Sequence, residues 1–343
     1  MVQWNGSSSN SFKVHNGVRQ GAVSSPLLFS IYIDKLFSLL RSSGFGCRLF
    51  NVFYGCFGYA DDILLLSASR SGLQAMVDIA NKFMRKKGLK FSTDVITSKS
   101  KTKCILFSQK RIPYIEPIKL DGNNLPWVTD IRHLGNVLES NNSMKKDVNS
   151  KRGQFIGKVN CLLQEFYFAE PSSIIRILNM YTVSFPGSCL WDLFSSDCDR
   201  LYRAWNVTMR QALNLPRNTH RYLIEAVSNC LHLKVMLCSR YCKFVNAIMT
   251  SPKYPVRLMG SLCLNDQRTI MGKNLSNIRK GCGVKRQSDL TPAFVKKNLR
   301  YFKVPECEVW RERILKELLS NEVEIDGFTQ HEVDEVIEYL CTT

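Results

Sequence analysis

The sequence predicts an α+β protein in which strands and helices mix up to about residue 140 and helices dominate afterwards. Three observations carry this. Short apolar runs bounded by turn residues recur early, at Asn51 to Gly58, Ile63 to Ser67 and Ile115 to Leu120. Two stretches, Leu27 to Leu40 and Leu73 to Met84, place apolar residues at helical spacing. Beyond Asn141-Asn142, segments near 147–168, 172–183, 197–213 and 221–250 keep a 3.6-residue period, with breaks at Pro186-Gly187, Leu215-Pro216 and Ser251-Pro252. An antiparallel sheet with helices packed on it, followed by a helical region, is the layering such an order gives.

In chain order, a hairpin over Trp4 to Val14 turns at Asn5-Gly6. Asn16-Gly17-Val18-Arg19-Gln20-Gly21 then leads to Ser24-Ser25-Pro26. Ser25 is the expected N-cap and Pro26 the first helical residue of a helix over Leu27 to Leu40. Its expected apolar stripe is Leu28, Ile31, Tyr32, Leu36 and Leu39, and Ser42-Ser43-Gly44 closes it. Ser71-Gly72 opens a second helix, apolar at Leu73, Met76, Val77, Ala80, Phe83 and Met84. Arg85-Lys86-Lys87 suit the negative end of its dipole, and Gly88 stops it. Strands are expected at Leu89 to Ser92 and Cys104 to Phe107, around a loop carrying Lys99, Lys101 and Lys103. A further hairpin is expected from Ile115 to Leu120, through Asp121-Gly122, to Trp127 to Leu138. Residues 265 to 305 are basic, and a capping box from Thr329 to Glu332 opens a last helix with Val333, Val336, Ile337 and Leu340. The domain boundaries read 1–140, 141–260 and 261–343, the last a basic linker with an acidic helical tail.

The 343 residues suffice for two domains, and the apolar content of 45% is ordinary for a globular protein. The net charge of +18 is not. From Glu306 onward eleven acidic residues face three basic ones; this tail holds −8, so the residues before it carry +26. A body this basic implies a polyanionic partner, nucleic acid first. Thirteen cysteines follow no repeating spacing, the start is polar, and no apolar run approaches the ~18 to 20 residues of a membrane span. Reduced thiols in an intracellular protein, without membrane contact, are expected. Cys230, His232, Cys238 and Cys242 fit none of the usual structural zinc spacings.

The chemistry centres on Tyr59-Ala60-Asp61-Asp62, between two strand-like runs. Two neighbouring carboxylates at a tight turn repel each other, and a divalent cation removes that repulsion. Hard oxygen ligands at a turn suit Mg²⁺, which keeps waters for substrate phosphates. The plain alternative is an Asp-rich hairpin turn.

The order of motifs resembles the reverse transcriptases of non-LTR (LINE-like) retrotransposons. Gly17-Val18-Arg19-Gln20-Gly21 with Ser25-Pro26-Leu27-Leu28-Phe29 resembles motif B, and Phe57-Gly58-Tyr59-Ala60-Asp61-Asp62 the catalytic motif C. Gly88-Leu89-Lys90-Phe91 leading to Lys99-Ser100-Lys101-Thr102-Lys103 resembles motif D, and His133-Leu134-Gly135 the primer-grip turn of motif E. The resemblance implies a partial polymerase palm from motif B onward, a helical thumb and a C-terminal extension. Asp61 would then hold catalytic Mg²⁺ (or Mn²⁺), one of two metals about 4 Å apart, with Asp62 a secondary ligand. Lys101 or Lys103 would protonate the departing pyrophosphate. Arg19 would meet a phosphate, and Gln20 and Gly21 would let the backbone approach the nascent base pair. Tyr59 and Ala60 join the residues in contact with nucleic acid, and His133, Leu134 and Gly135 would steer the primer. For Arg19, the lysines and His133-Leu134-Gly135, a flexible turn, a solvated loop and a plain β-turn remain the alternatives. The implied partners are an RNA template, a DNA primer and deoxynucleoside triphosphates, in the nucleus or cytoplasm. Arg152, Lys158, Arg203, Arg210, Arg217, Arg221 and Arg240, among Tyr167, Trp205 and Tyr222, would grip the backbone, whereas Phe166 and Phe168 are assigned to the core.

The chain departs from the family pattern in one important respect. A third carboxylate, from motif A, is expected upstream of motif B, yet the sole acidic residue before Asp61 is Asp34, on the helix after Pro26. Ser24 also stands where many relatives carry leucine. The polypeptide alone is therefore expected not to polymerise, and the upstream part of the same element becomes a candidate partner. A gene start placed too far downstream is one explanation. A non-enzymatic nucleic-acid-binding remnant is the competing reading.

Overall fold

The computed structural model describes residues 1, 3–13, 17, 19, 21–92, 101–108, 114–219, 224, 228, 230–284 and 290–299. Gln20, Lys99, Arg221, Tyr222 and the acidic tail with its last helix lie outside the described residues. The chain forms two compact units, Met1–Thr129 and Asp130–Thr343.

The first unit opens with β1 (Gln3–Trp4) and β2 (Ser7–Ser8), joined by the expected turn, with Asn5 and Gly6 both at positive φ. Helix α1 spans Ser25–Ser42, one residue ahead of the expected start: Ser24 is the cap position. Ser25 instead donates its hydroxyl to the Arg19 carbonyl at 2.6 Å. The expected stripe is also corrected. Ile33, Leu36 and Leu40 are buried, whereas Leu28, Ile31, Tyr32 and Leu39 stay exposed, Ile31 at 66%. Apolar residues surround α1, so spacing alone admits two stripes; packing with Met76, Ala80, Phe83 and Met84 selects one.

Those four residues belong to α2 (Arg70–Lys86), where the polar face leaves one solution; of the expected positions these four are buried, while Leu73 and Val77 are half-buried against the cluster of Ile118, Leu120 and Leu125. Ser69 caps it by accepting from the Gly72 amide at 3.1 Å. Gly88 ends it at φ +71, with the Leu89 amide donating back to the Met84 carbonyl at 2.9 Å. Between the helices lie β3 (Arg48–Leu49) with β4 (Val52–Phe53), and β5 (Cys56–Tyr59) with β6 (Asp62–Leu65).

After α2, Leu89 to Ser92 form no strand. Strand β7 covers only Cys104–Ile105 and runs parallel to β10 (Trp127–Val128), while β8 (Ile118–Leu120) and β9 (Asn123–Leu125) turn at Asp121-Gly122. The expected long hairpin to Leu138 is therefore three shorter pieces, because Trp127 pairs with Cys104 rather than with the Ile118 strand. Gln74 ties β8 to α2, its side-chain amide exchanging two 2.8 Å bonds with the Lys119 backbone. Among the described residues the antiparallel sheet is realised as two-stranded ladders, five antiparallel and one parallel.

The second unit begins with the hairpin β11 (Asp130–His133) and β12 (Asn136–Glu139). Helices follow: α3 (Lys145–Glu165), α4 (Pro171–Tyr181), α5 (Ser196–Ala212) and α6 (Leu233–Met249). Then come α7 (Tyr254–Asn265), α8 (Ile270–Cys282) and α9 (Pro292–Asn298). Helices α8 and α9 fall in the stretch whose sequence reads as a basic linker; Leu275, Ile278 and Val295 are buried there. Trp191, Tyr202, Trp205 and Tyr241 anchor the core, fully buried. Their polar atoms are engaged where the backbone comes close: Tyr202 donates to the Leu193 carbonyl at 2.8 Å and Tyr241 to that of Met271 at 2.6 Å. Among the described residues no helix is long and apolar enough to cross a membrane.

Two outcomes follow from this packing. Leu36→Ala should cost about 2–5 kcal/mol in urea unfolding, whereas Ile31→Ala should stay within about 0.5 kcal/mol. Burial pushes the Cys198 and Cys242 thiols from 9.0 up to about 12. Unfolded thiols ionise first, so this stability is complete below pH 9 and is lost as pH rises towards 12. The urea midpoint should fall between about pH 8 and about pH 11, and fall less in Cys198→Ala.

Candidate active site

The β5–β6 ladder pairs Cys56 with Leu65, Phe57 with Leu64, Gly58 with Ile63 and Tyr59 with Asp62, leaving Ala60-Asp61 as a two-residue turn. Strand alternation then divides the hairpin. Cys56, Ile63 and Leu65 pack against the α1–α2 core. Gly58 shares their face, where a Cβ would come within 2.4 Å of the Phe37 ring tip, so a larger residue there would push that ring aside. The opposite face carries Phe57, Tyr59 and Asp62, all exposed, with Tyr59 at 67%. Ala60 sits at φ +51, a left-handed conformation costing a side chain about 1–2 kcal/mol. Strain of this kind concentrates where geometry serves function. Asp61 and Asp62 are both exposed, and among the described residues no ion pair or hydrogen bond occupies either carboxylate.

Arg19 and Gly21 precede α1. Gly21 adopts φ +83 with open space around its Cβ position, so backbone conformation is what requires glycine there. The Arg19 carbonyl accepts from the Ala22 amide at 3.2 Å and from Ser25, which folds the segment onto the helix start while the Arg19 side chain stays exposed. Lys101 and Lys103 are exposed on either side of half-buried Thr102, just before β7. Within the first unit the structure thus joins Tyr59, Ala60, Asp61 and Asp62 in one hairpin, seated on the helix that Arg19 and Gly21 introduce.

His133, Leu134 and Gly135 belong to the second unit. They form the β11–β12 turn, with Leu134 at φ +48 and Gly135 at φ +77. Leu134 is 46% exposed, an apolar side chain on a strained tip. The hairpin below is fixed by a buried polar hub absent from the sequence reading. Asp147, on α3, accepts from the Val137 amide at 2.9 Å, from Trp191 Nε1 at 2.7 Å and from Lys151 at 3.0 Å. Lys151 also donates to Asn136 Oδ1 and to the Pro186 carbonyl, each at 2.5 Å. Gly187 follows at φ +76, and a Cβ there would strike Asn136 Oδ1 at 2.0 Å. The sequence does hold a signal: Lys151 falls between Val148 and Phe155 on the apolar stripe of α3, with an acid four residues earlier.

Several expected nucleic-acid contacts have other duties. Trp205 is wholly buried and packs edge-on to His232. Arg240 donates to the Val183 and Ser184 carbonyls, and burial draws its guanidinium below the usual range. Arg210 holds the Thr219 carbonyl. Lys158, Arg203 and Arg217 remain exposed. Phe168, expected inside, is 75% exposed and packs edge-on against Tyr167. Cys238 and Cys242 are buried thiols, and among the described residues no three His, Cys, Asp or Glu side chains form a metal-binding group.

The donor chemistry at Asp61 and Asp62 fits part of a divalent-cation site. Two exposed carboxylates offer hard oxygen ligands to Mg²⁺ or Mn²⁺ that keeps most of its waters, and they are too few for a closed cage.

The β5–β6 hairpin thus presents two exposed aspartates away from its packed face. Residues 1–138 match the family model described as Reverse transcriptase (RNA-dependent DNA polymerase). The chain is similar to the Retrovirus-related Pol polyprotein from type-2 retrotransposable element R2DM of Drosophila melanogaster, at 36% identity over 89 residues. That match covers 26% of the chain and 8% of the polyprotein's length. Over residues 1–138 the chain is thus similar to reverse transcriptases, and it shares a segment with a retrotransposable-element polyprotein of which it spans only a small part.

Removing one partner of the buried pair should be costly: Asp147→Ala should destabilise the fold by about 3–5 kcal/mol in chemical denaturation. Asp61→Asn and Asp62→Asn, at exposed positions, should stay within about 0.5 kcal/mol.

Proposed function

We propose that this chain provides the catalytic turn, primer-grip turn and helical nucleic-acid grip of an RNA-directed DNA polymerase from a non-LTR element, and that alone it does not extend a primer. Its substrates are an RNA template, a DNA primer and deoxynucleoside triphosphates. The observation that carries the reading is the Asp61-Asp62 turn, whose exposed carboxylates are free of ion pairs among the described residues. Asp61 would hold the cation with Asp62 assisting, and Mg²⁺ or Mn²⁺ bound there would supply charge neutralisation at the reacting phosphate. The primer 3′ oxygen forms its bond to the α-phosphorus as the bond to the bridging oxygen breaks. Lys101 or Lys103 gives a proton to the departing pyrophosphate. By the resemblance, Tyr59, Ala60, Arg19 and Gly21 would contact the nascent pair, a role the resemblance also gives Gln20, and His133, Leu134 and Gly135 would contact the primer.

Incompleteness is supported by the carboxylate count. Among the described residues Asp61 and Asp62 gather no third ligand of acidic, His or Cys type. The same count favours a second reading, a basic nucleic-acid-binding protein that has lost catalysis.

Primer extension with Mg²⁺ on the 343-residue chain should give no incorporation, and processive synthesis would refute the incompleteness. Replacing Asp61 and Asp62 together with alanine should abolish Mn²⁺ binding read by electron paramagnetic resonance, while primer–template affinity holds. If the unaltered chain binds no Mn²⁺, the non-enzymatic reading replaces the polymerase one.

A further inference from the structure

Helices α7 and α8 and the residues after them line an open cleft of about 510 Å³ in the second unit, a size typical of small-ligand sites. Its walls are locked together. Thr269 caps α8 by accepting from the Gly272 amide at 3.0 Å. A Cβ on Gly272 would lie 2.2 Å from the Asp266 carbonyl, so the α7–α8 turn closes as tightly as backbone allows. Asn274 is fully buried and pins α8 from behind, donating to the Trp191 carbonyl at 2.7 Å and accepting from the Leu193 amide at 3.0 Å.

The lining is chemically divided. Leu264 and Leu275 give an apolar floor, Asn265 and Gln267 contribute amides, and Arg279 and Lys280 contribute cations. No acidic residue is among the described lining. Asp266, the nearest carboxylate in sequence, is committed to Arg268 at 3.0 Å, and that guanidinium holds its carboxyl below the usual range. Arg279 is half-buried, and neither it nor Lys280 forms an ion pair among the described residues. Two cations without an ion-pair partner among the described residues, beside an apolar floor and a pair of amides, suit a nucleotide. A phosphate meets the cations, a flat base covers the floor, and donors and acceptors on its edge meet the amides. A paired base buries that edge in its duplex, so the cleft selects single strands.

We propose that the α7–α8 cleft binds an unstacked nucleotide of a single-stranded nucleic acid. The inference stands apart from the polymerase reading, because nothing in it requires the Asp61-Asp62 turn.

The test measures fluorescence anisotropy of a labelled single-stranded oligonucleotide with the full chain, in EDTA, across a salt series. Arg279→Gln with Lys280→Gln should weaken binding about tenfold. The slope of log affinity against log salt should shrink by about 1.4, the counterions released by two phosphate contacts on a single strand. Lys243→Gln with Lys253→Gln removes equal charge from exposed positions away from the cleft and should cost less than about twofold. Ser276→Phe fills the cleft without altering charge and should match the loss seen with the cleft pair. On a duplex of the same sequence the two charge pairs should behave alike. Equal losses for the two pairs on the single strand overturn the proposal, as does wild-type affinity in a Ser276→Phe protein whose circular dichroism shows it folded.

Discussion

The buried ion pair of Asp147 and Lys151 is the constraint on which the second unit depends. A charge removed from water is tolerated only when every remaining donor and acceptor finds a partner. Satisfying this pair draws in the Val137 amide, Asn136, the Pro186 carbonyl and Trp191. One interaction thereby fixes the β11–β12 hairpin, the start of α3 and the chain around Gly187. Lys146 adds two ties at the rim, its amide to Glu139 at 2.9 Å and its ammonium to Asp130 at 2.5 Å. A turn with a leucine in left-handed geometry keeps its shape only on such a base.

The first unit meets a related demand differently. Its β5–β6 hairpin is held by apolar burial on one face and by the absence of a side chain at Gly58, where Phe37 comes close. The polar groups at its tip are left to solvent. Rigid support below and unsatisfied chemistry above is what a preorganised site requires.

The sequence made some of this legible. Helix α2 could be read almost residue by residue, because charged neighbours left its apolar face unambiguous and Gly88 marked its end. The Asp61-Asp62 turn was equally plain, since turn residues flank a tight reversal between apolar runs. Helix α1 defeated the same method, because apolar residues on several sides leave the choice to its neighbours. The parallel pairing of Cys104 with Trp127 joins residues far apart in the chain and has no local signature. Asp147 gave half a signal in its spacing to Lys151, but its third partner, Trp191, lies 44 positions away. Charge concealed α8, whose apolar residues are few and whose buried Asn274 reads as a surface residue until its two backbone partners are seen.

The divided hairpin also separates two kinds of selective pressure. Cys56, Gly58, Ile63 and Leu65 are constrained by folding whether or not the protein does anything. Phe57, Tyr59, Asp61 and Asp62 point away from that core and contribute little to it. Drift confined to this outer quartet would leave the packing intact, whereas drift in the inner quartet would cost the hairpin its seat on α1.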